Sequence, residues 1–126
     1  MPTPLHQMKA EFFKTLSHPI RIRVLELLSE REHSVGELLR ELDIEASNLS
    51  QQLAVLRRAG LVTTRKEGST VFYALVSDQI ADLLVVARSI LTSVLSEQAE
   101  LLTTLRSDAR SAARTTRRRE VRRAAR

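Results

Sequence analysis

Cysteine is absent from all 126 residues. That absence removes disulfides, zinc fingers, thiolate metal sites and cysteine-based redox sensing together. Aromatic residues are scarce: no tryptophan, one tyrosine and three phenylalanines. The core must therefore be aliphatic, and a helical domain this small often completes its core by pairing with a second copy. Long apolar runs are also lacking. The first ten residues hold no stretch of signal-peptide length. The richest apolar neighbourhood, Leu83 to Leu95, is interrupted at Arg88 and Ser89, short of the roughly 20 apolar residues that a membrane span needs. A cytoplasmic chain with no membrane partner is the expectation. Catalytic groupings are missing too. There is no nucleophile with a matched base, no phosphate-cradling glycine loop and no paired carboxylates in an evident cleft. Asp78 and Asp82 lie one turn apart, but acids at a helix start are explained by the helix dipole. No catalytic residue, cofactor or metal is assigned.

Breakers are few and informative. Prolines stand at positions 2, 4 and 19, glycines at 36, 60 and 68, and neither recurs after Gly68. Leu5, Met8, Phe12 and Leu16 recur at helical spacing and predict a first helix. Ser17 can cap a second, with Pro19 in its first turn and Ile20, Val24, Leu25, Leu27 and Leu28 on its apolar face. Glu30 to Glu32 end it in a polar turn. Ser34 and Glu37 form a capping box for a third helix carrying Val35, Leu38, Leu39 and Leu42. After a turn at Asp43 to Glu45, a fourth helix runs from about Ala46 to Ala59, with Leu49, Leu53 and Leu56 inward and Gly60 placed to end it. Val62–Lys66 and Thr70–Val76 are rich in strand-forming residues and flank Glu67-Gly68-Ser69, which predicts a hairpin. From about Asp78 the chain reads as helix to its end. The fold class is mainly α with a small β-hairpin wing: a winged helix-turn-helix, dimeric.

In that pattern the fourth helix is the recognition helix. With its leucines turned inward, Ser47, Asn48, Ser50, Gln51 and Gln52 are expected on or near its outer face, toward the end that usually enters the major groove. Asn and Gln amides suit adenine N6 and N7, and serine hydroxyls can reach base edges or phosphates. The plainer reading is an ordinary polar solvent face. Arg57 and Arg58 close the helix, where phosphate contact and complementation of the helix dipole are equally good accounts. Arg65 and Lys66 precede the hairpin tip, and Ser69 and Thr70 follow it. These four are assigned to DNA contact, against the alternative of a charged edge strand that resists aggregation.

The last helix carries a second pattern. Ile80, Leu84, Ala87, Leu91, Val94, Gln98, Leu101 and Leu105 alternate spacings of four and three, a heptad seam. Such a helix could pack on its own domain, but its length favours a dimer. After Arg106 the chain holds eight arginines and two acids, leaving 12 basic and 13 acidic residues up to and including Arg106. The basic character thus belongs to a tail, residues 107–126, behind a domain of residues 1–106. A polyanion partner and a solvated solubility tail are both open readings.

Three segments together resemble the ArsR/SmtB family of bacterial repressors: SHPIRIRVLELL at Ser17–Leu28, ASNLSQQLAVLRRAGLV at Ala46–Val62, and RKEG followed by VFYAL between Arg65 and Leu75. The resemblance implies a homodimer joined through its first and last helices, and repression relieved by a ligand. On that basis Leu5, Met8 and Phe12 join Leu84, Ala87, Leu91, Val94 and Leu101 as dimer-interface residues. Where metal-sensing members often carry Cys-x-Cys in the third helix, this chain has Leu39 and Glu41. Where others use Asp and His near the start of the last helix, Asp78 is followed by Gln79 and Ile80. Sensing of soft metals at those positions is not expected. Of the three histidines, His18 reads as structural at a helix start, His33 as a turn residue, and His6 lies near the chain start. A His/carboxylate site assembled across a dimer stays open. The expected activity is sequence-specific repression, with double-stranded DNA carrying a near-palindromic operator as partner and the effector unknown. Two alternatives stand beside it: a sequence-tolerant DNA-architectural protein using the basic tail, and an interaction module that kept the fold but lost the DNA.

Overall fold

The computed structural model describes residues 2–125. In chain order it contains α1 (Leu5–Leu16), α2 (Pro19–Glu30), β1 (His33–Ser34), α3 (Val35–Glu41), α4 (Ala46–Arg58), β2 (Val62–Glu67), β3 (Thr70–Leu75) and α5 (Asp78–Ala124). Two units separate, residues 1–85 and residues 86–126.

The first unit is organised by aliphatic stripes. Val24, Leu25, Leu27 and Leu28 of α2 meet Leu38 of α3, Leu49, Leu53 and Leu56 of α4, and Ile80 of α5 in one core. Val24, Leu25, Leu38, Leu49 and Leu56 have no exposed surface. Each fully buried leucine contributes about 1.5–3 kcal/mol relative to exposure, so these stripes supply most of the cohesion that the missing aromatics do not. Leu83 and Leu84 at the start of α5 pack against the same core.

Local chemistry sets the helix ends. The capping box forms: the Ser34 hydroxyl accepts from the Glu37 N–H, and the Ser34 N–H donates to the Glu37 carboxylate, both at 3.2 Å. At the end of α4, Gly60 has φ +76. This turns the chain so that the Leu61 N–H reaches the Leu56 carbonyl and the Gly60 N–H reaches the Arg57 carbonyl, each at 3.0 Å, a Schellman closure with buried Leu56 and Leu61 at its ends. The start of α2 differs from expectation. Its cap is His18, whose Nδ1 accepts from the Ile20 N–H at 3.2 Å. Ser17 instead closes α1, its hydroxyl donating to the Lys14 carbonyl at 2.6 Å.

The sheet has the order β1-β3-β2, antiparallel throughout. Glu67 pairs with Thr70, so only Gly68 and Ser69 form the turn. Gly68 has φ +62, the sign that a two-residue primed turn requires at its first position. The third strand is unanticipated: His33 and Ser34 pair with Tyr73 and Phe72. His33 is therefore not a turn residue. It is buried, with Nδ1 2.8 Å from the Arg31 carbonyl.

The second unit is the remainder of α5, and every described side chain in it is exposed. Of the expected heptad positions, Leu91, Val94 and Leu101 are exposed, whereas Ile80, the first, is buried in the core of the first unit. Arg126 of the tail lies outside the described residues.

Candidate nucleic-acid interface

α3, the turn at Leu42 to Glu45, and α4 form the helix pair, and the hairpin follows α4 directly. Burial of Leu49, Leu53 and Leu56 fixes the rotation of α4. Ser47, Ser50 and Gln51 are exposed at its N-terminal half, and Asn48 is half-buried. The fifth expected reader is not there. Gln52 is only 8% exposed. Its Oε1 accepts from Arg21 Nε at 2.8 Å, and its Nε2 donates to Asn48 Oδ1 at 3.0 Å. Arg21 also donates to the Thr15 carbonyl at 3.0 Å. Gln52 thus ties α4 through Arg21 to α2 and to the end of α1, and orients Asn48. The sequence held the signal: Gln52 sits three residues after Leu49 and four before Leu56, inside the apolar stripe.

Arg57 and Arg58 are exposed in the last turn of α4. With Val35, Ser50, Leu53, Ala54 and Tyr73 they border an open groove of about 400 Å³. Two arginines in one groove with a serine and a tyrosine have the side-chain types that suit a phosphate oxygen. Ala54 and Tyr73 were not anticipated. Tyr73 arrives through β3, so its proximity to α4 depends on tertiary packing.

At the hairpin Lys66, Ser69 and Thr70 are exposed, while Arg65 is engaged within the fold. It forms two hydrogen bonds to the Glu32 carboxylate, from Nη2 and, at 3.3 Å, from Nε. Nη1 donates to Glu67 at 2.8 Å, and the guanidinium lies 4.7 Å from the centre of the Phe72 ring. The hydrogen bond from Arg65 holds the Glu32 carboxyl below its ordinary range, and the two carboxylates raise the Arg65 pKa. Arg65 therefore fastens the hairpin to the turn after α2, and the local charge of the wing is less positive than its sequence suggests. A second anchor lies beside it. Arg31 Nη1 donates to Glu37 at 2.7 Å. That bond, followed by the one from the Ser34 N–H, lowers the Glu37 pKa to about 2.

The expected interface residues fall into two groups. Phe12 and Leu84 are half-buried against the core. Leu5, Met8, Ala87, Leu91, Val94 and Leu101 are exposed. An 18-residue window of α5 is long and apolar enough, by length and composition alone, to cross a membrane. The interruption at Arg88 is thus insufficient to exclude a span, contrary to the expectation from sequence.

A protein family described as "Helix-turn-helix domain" matches residues 16–65, which run from the end of α1 into the hairpin. An HTH-type transcriptional regulator of Mycobacterium tuberculosis is 56% identical over 105 residues, 82% of this chain and 92% of that protein. The crystal structure of that regulator superposes with a TM-score of 0.72 at 57% identity, over 78% of this chain and 99% of the other. A biofilm growth-associated repressor of Agrobacterium fabrum is 44% identical over 88 residues, 67% of this chain and 75% of that protein. The transcriptional activator HlyU of Vibrio cholerae is 49% identical over 67 residues, 53% of this chain and 62% of that protein.

Proposed function

Since this chain belongs to the ArsR/SmtB-type winged helix-turn-helix transcriptional regulators, which bind DNA and catalyse no reaction, we propose that it is a cytoplasmic, homodimeric repressor reading a near-palindromic operator. The observation that carries base reading is the outward polar face of α4: Ser47, Ser50 and Gln51 exposed, and Asn48 oriented by Gln52. Gln51 and Asn48 are the readers of bases. Ser47, Ser50, Arg57, Lys66, Ser69 and Thr70 are assigned to phosphates and groove edges. Arg65 is reassigned to holding the wing.

Support for the dimer comes from the exposed seam of α5, with Leu91 at 59% and Leu101 at 60% exposure. A stripe of this size is unfavourable in water and needs a partner. A second copy satisfies it with the same stripe, as two-fold interfaces do. Leu5 and Met8 of α1 are exposed as well and are proposed to join the same interface. Two recognition helices then meet half-sites about 34 Å apart, one turn of the duplex. Reading the seam as a dimer contact also gives the apolar window of α5 an occupant other than lipid.

Repression is favoured over activation by the A. fabrum relative, which is named a repressor and matches more of the chain than the relative named an activator. The test is to select duplexes from a random library with the full chain, then place a selected site across a promoter and measure transcript in vitro. A repressor lowers transcript in step with occupancy. Increased transcript at the same occupancy overturns the repressor assignment, and failure to enrich any sequence overturns base reading.

A further inference from the structure

The apolar seam of α5 stops at Leu105, and the helix does not. It continues to Ala124 with a different surface. Between residues 106 and 125 the only large apolar side chain is Val121, and small residues such as Ser111, Ala112, Ala113, Thr115 and Thr116 separate the arginines. Arg110, Arg114, Arg117 and Arg118 fall within about 100° of one another around the axis, at 3.6 residues per turn. Three of them, with Ala113, border one recess of about 210 Å³. Among the described residues, none of the arginines from Arg106 onward has an ion-pair partner, although Asp108 and Glu120 lie in the same segment.

We infer that this arginine face is a second DNA-binding surface, one that grips the phosphodiester backbone of duplex DNA without reading its sequence. Charge density supports it. Seven arginines lie between Arg110 and Arg123, a length of about 20 Å at 1.5 Å per residue, and a duplex presents one phosphate charge per roughly 1.7 Å. Like charges four residues apart on a helix repel one another. Phosphates between them convert that repulsion into attraction and release counterions. The rest of the chain adds little net charge to this term, because its 12 basic and 13 acidic residues nearly cancel. A lipid surface fits less well, since an interfacial helix needs an apolar face opposite its cations and this segment has only Val121. The inference does not depend on the repressor reading, because it concerns affinity for any duplex.

The test uses the full chain with Arg110→Gln, Arg114→Gln, Arg117→Gln and Arg118→Gln together, and a second variant with lysine at the same four positions. Binding is measured by fluorescence anisotropy between 50 and 200 mM salt. The probes are a random-sequence duplex and a duplex selected from a random library by the wild-type chain. Each phosphate contact contributes about 0.9 to the slope of log affinity against log salt. The glutamine variant should lose about 2 to 4 of that slope and weaken on both duplexes by similar factors. The lysine variant should keep the slope, and circular dichroism and sedimentation should match wild type for both. An unchanged slope overturns the inference. So does a loss confined to the selected duplex, which would mean that the segment reads a groove. So does arginine-dependent binding to vesicles of phosphatidylserine and phosphatidylcholine without a change on DNA.

Discussion

Gln51 and Gln52 are adjacent and chemically identical, but Gln51 is exposed and Gln52 buried, and the opposite tasks proposed for them make their alanine variants a sharp test. Gln52→Ala removes the acceptor of Arg21 Nε and the donor to Asn48 Oδ1 from a site with 8% exposure. A hydrogen bond to a charged group is worth about 1.5–3 kcal/mol and a neutral one about 0.5–1.5. The variant should therefore lose about 2–4 kcal/mol of stability. At roughly 4 °C per kcal/mol for a domain of this size, the melting temperature should fall by about 8–16 °C. Gln51→Ala touches an exposed residue and should stay within about 0.5 kcal/mol of wild type in stability. Its effect belongs to DNA: a loss of about 1–3 kcal/mol on a selected duplex, confined to one symmetric pair of base positions. Thermal melting by circular dichroism gives the first quantity, and anisotropy well below the melting transition gives the second. The reasoning is refuted if Gln52→Ala melts like wild type but loses base preference, or if Gln51→Ala weakens selected and random duplexes equally.

Further outcomes follow from other contacts. Leu91→Asp places a charge in the α5 seam and should give a monomer in sedimentation with DNA affinity collapsing, because an unpaired buried charge is strongly unfavourable; a stable mutant dimer contradicts the seam. Arg65→Gln and Glu32→Gln should weaken DNA binding to a similar extent, without additivity and without changing the salt slope, as expected of partners in one wing fastening. A slope reduced by about 0.9 in Arg65→Gln alone would instead make Arg65 a phosphate contact. Glu37, with its pKa lowered to about 2 from 4.5, stabilises the fold fully above pH 4.5 and loses that contribution as pH falls toward 2. Glu37→Gln should flatten the dependence of the urea midpoint across that window, and an unchanged acid profile would exclude the Arg31–Glu37–Ser34 anchor as its source.

The sequence by itself determined what depends on near neighbours. The helix pair, its leucine stripes, the capping box at Ser34, the Gly60 termination and the hairpin around Gly68 follow from spacing and backbone preference, because each is satisfied within a few residues of chain. The same holds for the division between a seam ending at Leu105 and an arginine-rich continuation, which is a property of composition along one helix. Tertiary structure decided what depends on partners distant in sequence. β1 is two residues long and exists only because Tyr73 and Phe72 lie alongside it, so no periodicity could announce it. Arg65 had the composition of a phosphate contact until the fold brought Glu32, 33 residues away, to its guanidinium. Gln52 is the instructive intermediate. Helical spacing already placed it among the leucines, but a polar side chain is stable there only where a partner meets it, and Arg21 on α2 was visible as that partner only once the two helices had packed.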